Sequence, residues 1–162
     1  MKPPPDFTSL TADWHNDTYP SISPNNPALS AKGKTVIVTG GGRGLGPEMG
    51  RAFAEAGAAH VALLGRTEST LSKTKDAIEA DFPSTKVSAH VADVADEAAV
   101  RKAAQAVGGW EVLILNAGFA PKRGPIAETS IGDWWRGFEV GSPKRVPAQR
   151  AVPTNNRAGS CS

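Results

Sequence analysis

One cysteine, one tyrosine and two methionines occur in 162 residues, and no apolar run approaches the length of a bilayer span. The lone Cys161 excludes an intramolecular disulfide and offers no metal-ligand cluster, so no metal site and a reducing, cytoplasmic setting are expected. The opening MKPPPDFTSL contains no apolar stretch resembling a secretory signal, and no membrane partner is expected. Acidic residues are missing from 141–162, which carry Lys144, Arg145, Arg150 and Arg157. The other 140 residues hold 14 basic and 16 acidic groups, so the overall +2 comes from a short tail on a mildly acidic body. Four charges without interleaved aromatics do not make a nucleic-acid surface, and no nucleic-acid partner is expected.

What is present divides into three textures. Residues 1–31 hold six of the 13 prolines and no periodic pattern, and read as an arm that is flexible or hugs the surface. Residues 141–162 are rich in Pro, Arg and Ser without periodicity, the composition of a disordered basic tail. Between them, 32–140 alternates β-branched runs with amphipathic ones. Strands are expected at KTVIVTG, HVALLGR, KVSAHVADV and WEVLILNAG. Helices are expected at LGPEMGRAFAEAG, TESTLSKTKDAIEADF, ADEAAVRKAAQAVG and SIGDWWRGFEV. Pro47 fits the first turn of the first helix, Thr67 opens the second, and Asp96 and Glu97 lie at the positive end of the third. This alternation predicts an α/β fold, a doubly wound parallel sheet with helices on both faces.

The first strand runs into VTGGGRGLG, with five glycines in nine positions. A glycine-rich turn between a strand and a helix is an anion site, because bare backbone and unpaired helix N–H groups let a pyrophosphate approach closely. Residues Gly40, Gly44 and Gly46 therefore predict a dinucleotide partner. An NAD site usually places Asp or Glu about 20 residues further on, to bond the ribose 2′-hydroxyl. Here Arg66 stands in that place, with Arg43 inside the loop itself. Guanidinium groups suit a 2′-phosphate, so NADP(H) is preferred over NAD(H) as the cofactor.

The spacing Thr39-Gly40-x-x-x-Gly44-x-Gly46, with Asp93 ending the third strand and Asn116-Ala117-Gly118 ending the fourth, resembles the short-chain dehydrogenase/reductase family. The resemblance covers about residues 32–140. It implies a Rossmann-like sheet, incomplete here, with strand order 3-2-1-4, and hydride transfer between nicotinamide and a carbonyl or alcohol carbon. It also implies that Gly40, Gly44, Leu45 and Gly46 line the pyrophosphate and ribose, that Asp93 and Val94 flank the adenine, and that Asn116, Ala117 and Gly118 lie along the nicotinamide half.

The family's catalytic residues have no counterpart in these 162 residues. Its tyrosine is followed four residues later by a lysine that stabilises the phenolate; here the one tyrosine, Tyr19, is followed by Ser23. The asparagine expected after Phe138-Glu139-Val140 is replaced by Gly141, and no catalytic residue is assigned. His15, His60 and His90 are scattered and read as packing or surface positions, while Trp134 and Trp135 read as the packing face of the fourth helix. The expected function is NADP(H) binding in an oxidoreductase lineage, inactive as written. The alternatives are a non-catalytic nucleotide- or partner-binding module, or an unstable product of a mis-spliced gene. In the 3-2-1-4 order the apolar strand Val112-Leu113-Ile114-Leu115 becomes an edge, which predicts marginal stability and a route to self-association.

Overall fold

The computed structural model of the chain describes residue 15, residues 17–120 and residues 124–141. The tail beyond residue 141 and nearly all of the first 16 residues lie outside the described residues, as do the readings made of them.

Four strands, β1 (Thr35–Thr39), β2 (His60–Gly65), β3 (Lys86–Val91) and β4 (Val112–Ile114), form one parallel sheet in the order β3-β2-β1-β4. Val36, Ile37 and Val38 of β1 pair with Val61, Ala62 and Leu63 on one side and with Val112, Leu113 and Ile114 on the other. Four helices connect or follow the strands: α1 (Leu45–Glu55), α2 (Glu68–Asp81), α3 (Glu97–Val107) and α4 (Ile131–Gly141).

Alternation along the strands divides the core in two. Val36, Val38, Val61 and Leu63 point to one face, where Ala54 of α1 and Leu71 and Ile78 of α2 cover them. Ile37, Ala62 and Leu64 point to the other, under Ala103 and Ala104 of α3 and Trp110. Fully buried β-branched residues on both faces are what a parallel sheet between two helical layers requires.

Local chemistry sets the helix ends. Asp96 caps α3, its carboxylate accepting from the N–H groups of Ala98 and Ala99. Gly57 follows α1 in the positive-φ region, and Ala58 donates back to the Phe53 carbonyl at 3.0 Å. Thr67 stands at the start of α2 without a side-chain capping bond. In the described part of the arm two exposed 3-10 turns, Pro20–Ile22 and Pro27–Leu29, lead to a buried Ala31 whose N–H donates to the Ala56 carbonyl.

The structure departs from the expected elements in two places. β4 is three residues long, because beyond Ile114 the chain leaves its ladder with β1 and is held by side-chain bonds instead. Trp134 and Trp135 are 42% and 55% exposed, and with Phe138 at 48% they form an aromatic patch on α4 rather than a packing face. The helix meets the rest of the described fold elsewhere, where the Arg136 guanidinium sits over the Phe119 ring.

Candidate functional site

The carboxyl ends of the strands surround one cavity of about 560 Å³, the position where open α/β sheets take their ligands. Its geometry begins at Thr39, the last residue of β1, which is 2% exposed. The Thr39 hydroxyl donates to the Ile114 carbonyl and accepts from the Ala117 N–H, both at 3.1 Å. The Asn116 amide donates in turn to the Thr39 carbonyl at 3.0 Å. These bonds fasten the end of β1 to the end of β4, so the glycine loop and the Asn116-Ala117-Gly118 turn form one rigid wall.

Gly40 and Gly44 line that wall at φ of 71° and 65°, a region that L side chains rarely adopt. Gly44 is also the N-cap of α1, and Leu45 and Arg43 lie beside it along the cavity. Gly46 is placed differently from Gly40 and Gly44. It is buried and absent from the lining, and a Cβ there would come within 2.1 Å of the Gly40 carbonyl oxygen. Its missing side chain lets the first turn of α1 close over Gly40, so it shapes the loop from behind.

The opposite rim is built by the end of β2 and the start of α2. Arg66 lines it with Gly65 and Thr67, and Thr70 packs toward Gly42 of the loop. Arg43 and Arg66 are both exposed, and among the described residues neither takes part in an ion pair. Asp93 and Val94 line the cavity after β3, with the Asp93 carboxylate accepting from the Ala95 N–H at 2.8 Å in the turn that leads to Asp96. Asn116, Ala117 and Gly118 continue the lining, which closes with Phe119, Ala120 and Val140.

The structure thus brings ten of the eleven residues singled out from the sequence to one cavity and sets Gly46 behind it. Gly42, Thr70, Phe119 and Val140 are among the lining residues that the sequence reading did not single out. Gly42 carried a signal as one of the five glycines, whereas Val140 reaches the cavity only through the path of α4. Among the described residues the lining holds no tyrosine, serine, histidine or lysine. Tyr19 lies apart from the cavity, its ring stacked on that of His15 at 4.1 Å between centroids. No three His, Cys, Asp or Glu side chains converge among the described residues, and no described helix is long and apolar enough to cross a membrane.

The glycine cradle fits a dinucleotide: backbone without Cβ atoms faces the cavity at Gly40 and Gly44, a helix start without a side-chain cap adjoins it, and Arg43 on the loop side and Arg66 on the opposite rim line it, neither in an ion pair among the described residues.

Comparison with known proteins agrees with this architecture. The family described as short chain dehydrogenase matches residues 34–143. Short chain dehydrogenase tazN of Aspergillus terreus is 40% identical over 144 residues, covering 86% of this chain and 31% of the relative. Short chain dehydrogenase pigC of Monascus ruber is 38% identical, covering 84% of this chain and 46% of its own. Thus the chain spans less than half the length of these curated relatives. Among solved structures, L-sorbose reductase from Gluconobacter frateurii, complexed with NADPH and L-sorbose, superposes with a TM-score of 0.69 at 26% identity, over 76% of this chain and 47% of the reductase. An NADPH-bound short chain oxidoreductase from Pseudomonas aeruginosa, with an atypical catalytic centre, gives 0.67 at 31% identity, over 74% and 47% of the two chains.

Proposed function

Because this chain belongs to the short-chain dehydrogenase family, we propose that its cavity binds NADP(H) in preference to NAD(H), as the cofactor-holding half of a carbonyl- or alcohol-directed oxidoreductase. One observation carries the reading: Arg66 lines the cavity rim in the place where an NAD site would offer a carboxylate, Arg43 lines the glycine loop, and among the described residues neither takes part in an ion pair. Solved neighbours that hold NADPH or NADP support it.

In this reading the 2′-phosphate meets Arg43 and Arg66, the pyrophosphate lies over Gly40, Gly44 and Leu45, and the adenine packs between Asp93 and Val94. The nicotinamide half runs along Asn116, Ala117 and Gly118. Bound there, the cofactor supplies the hydride; the residues of this chain bind it, orient it and exclude water from one side. The 162 residues by themselves bind without turnover, because Tyr19 is the one phenol in the sequence and it has neither a lysine four residues on nor a place in the cavity lining. The single cysteine and the lack of a long apolar run are consistent with a cytoplasmic location. The β4 edge and the aromatic patch of α4 give the chain a surface for self-association.

Titration of NADPH and NADH by calorimetry tests the proposal. A charge-assisted hydrogen bond contributes about 1.5–3 kcal/mol, so NADPH should bind roughly tenfold to a hundredfold more tightly. Arg66→Glu should erase or reverse that ratio. Equal affinity for the two cofactors in the wild-type chain would remove the NADP(H) assignment, and NADPH oxidation with a panel of carbonyl compounds would remove the claim of binding without turnover.

A further inference from the structure

Away from the cavity, two histidines that are 30 positions apart in sequence meet on the face of the sheet that carries α3. β2 and β3 pair in parallel with Ala62 opposite Ser88, which sets His60 two residues before that point and His90 two residues after it, all on one face. Both imidazoles turn inward to the same hydroxyl: His60 Nε2 lies 2.7 Å and His90 Nε2 2.9 Å from Ser88 Oγ. All three side chains are half-buried, and β3 is the outer strand of the described sheet, so the cluster stays reachable from solvent.

We propose that His60 and His90, with the Ser88 hydroxyl between them, form a two-imidazole site for a borderline transition-metal cation such as Zn2+. Imidazole nitrogen suits Zn2+, Cu2+ and Ni2+, and not Mg2+ or Ca2+, which take oxygen ligands. Zinc bonds of about 2.1 Å in tetrahedral geometry hold neighbouring ligand atoms about 3.4 Å apart, so an ion entering between the two rings and the hydroxyl spreads each nitrogen–oxygen pair by only about 0.5–0.7 Å. Burial lowers the pKa of both histidines, which keeps the rings neutral and ready to ligate at neutral pH. Lys86, opposite His60 in the strand pair, opposes a second cation, but its side chain is exposed and screened by water. Water completes the coordination on the open side, and the ion ties the outer strand β3 to β2.

The test uses the full chain at neutral pH with ZnCl2 as the probe. Diethylpyrocarbonate modifies neutral imidazole, and peptide mass spectrometry reports each histidine separately. Zn2+ should protect His60 and His90 together while leaving His15 reactive, and MgCl2 should protect none. Calorimetry should show saturable Zn2+ binding that His90→Gln weakens by at least about tenfold, the scale on which even supporting groups of a metal site act. Circular dichroism establishes that the variant is folded, and the protection experiment needs no variant. Absence of Zn2+ binding to the wild-type chain, unchanged reactivity of His60 and His90, or equal protection of His15 overturns the site.

Discussion

At the scale of single residues, Gly44 and Gly46 are both needed for the loop, for different physical reasons. A side chain at Gly44 meets open space, yet its φ of 65° is costly for any L residue, so Gly44→Ala should destabilise by about 1–2 kcal/mol. Gly46 has ordinary helical backbone, but its Cβ would strike the Gly40 carbonyl oxygen, which cannot swing aside as a side chain can. Gly46→Ala should therefore cost about 1–3 kcal/mol and, by displacing Gly40, weaken NADPH binding at least as much as Gly44→Ala does. Urea melts and NADPH titrations of the two variants check this; tighter binding by the Gly46 variant would contradict the loop's geometry. The glycines were legible in the sequence because turn chemistry and spacing mark them. The bonds from the Thr39 hydroxyl to Ile114 and Ala117 were not, since they join residues more than 70 positions apart and depend on a register that only the folded sheet supplies.

Among the elements, β3 is the one whose hold on the sheet should vary with pH. Burial is the largest cause lowering the pKa of His60 and the only resolved cause for His90; at His60 the charges of Lys86 and His90 add to it. A histidine with a depressed pKa in the folded state favours the neutral form there. Its contribution to stability is therefore complete above the usual value of 6.5 and is lost as pH falls through the lowered folded-state values. Urea midpoints measured between pH 7.5 and 5 should fall on the acid side, and the double variant His60→Gln/His90→Gln should flatten that slope. A slope that survives both substitutions would locate the acid sensitivity elsewhere. The order of elements and their parallel pairing were legible, because period-2 and period-3.6 apolar patterns alternate cleanly from 34 to 114. The length of β4 was not. Val112 to Leu115 reads as a buried central strand, but a strand paired on one side only keeps three residues of ladder before Asn116 takes over the bonding.

For the molecule as a whole, the coupling between fold and cofactor decides what these residues do alone. The core is built from small and medium side chains, largely Val, Ala and Leu, and the aromatic mass of α4 lies outside it: Trp134, Trp135 and Phe138 gather on the exposed face of that helix. Apolar patches of this kind promote association, so sedimentation should show self-association that Trp135→Glu reduces while leaving NADPH binding intact, since Trp135 is not part of the cavity lining. The cavity, by contrast, is assembled from the ends of β1, β2 and β4 and the turn that follows β3, so a ligand that fills it bridges the whole sheet. Ligand binding to the folded state alone adds RT ln(1 + [L]/Kd), about 2.7 kcal/mol at a hundredfold excess over Kd. For a domain of this size that corresponds to a rise in Tm of roughly 5–20 °C. A calorimetric melt with and without NADPH should show that rise, smaller with NADH, and with Arg66→Glu reduced to the NADH value or below. A cooperative transition that NADPH leaves unmoved would mean that the fold stands without using its cradle, and the exposed aromatic patch on α4 would become the part of the molecule to pursue.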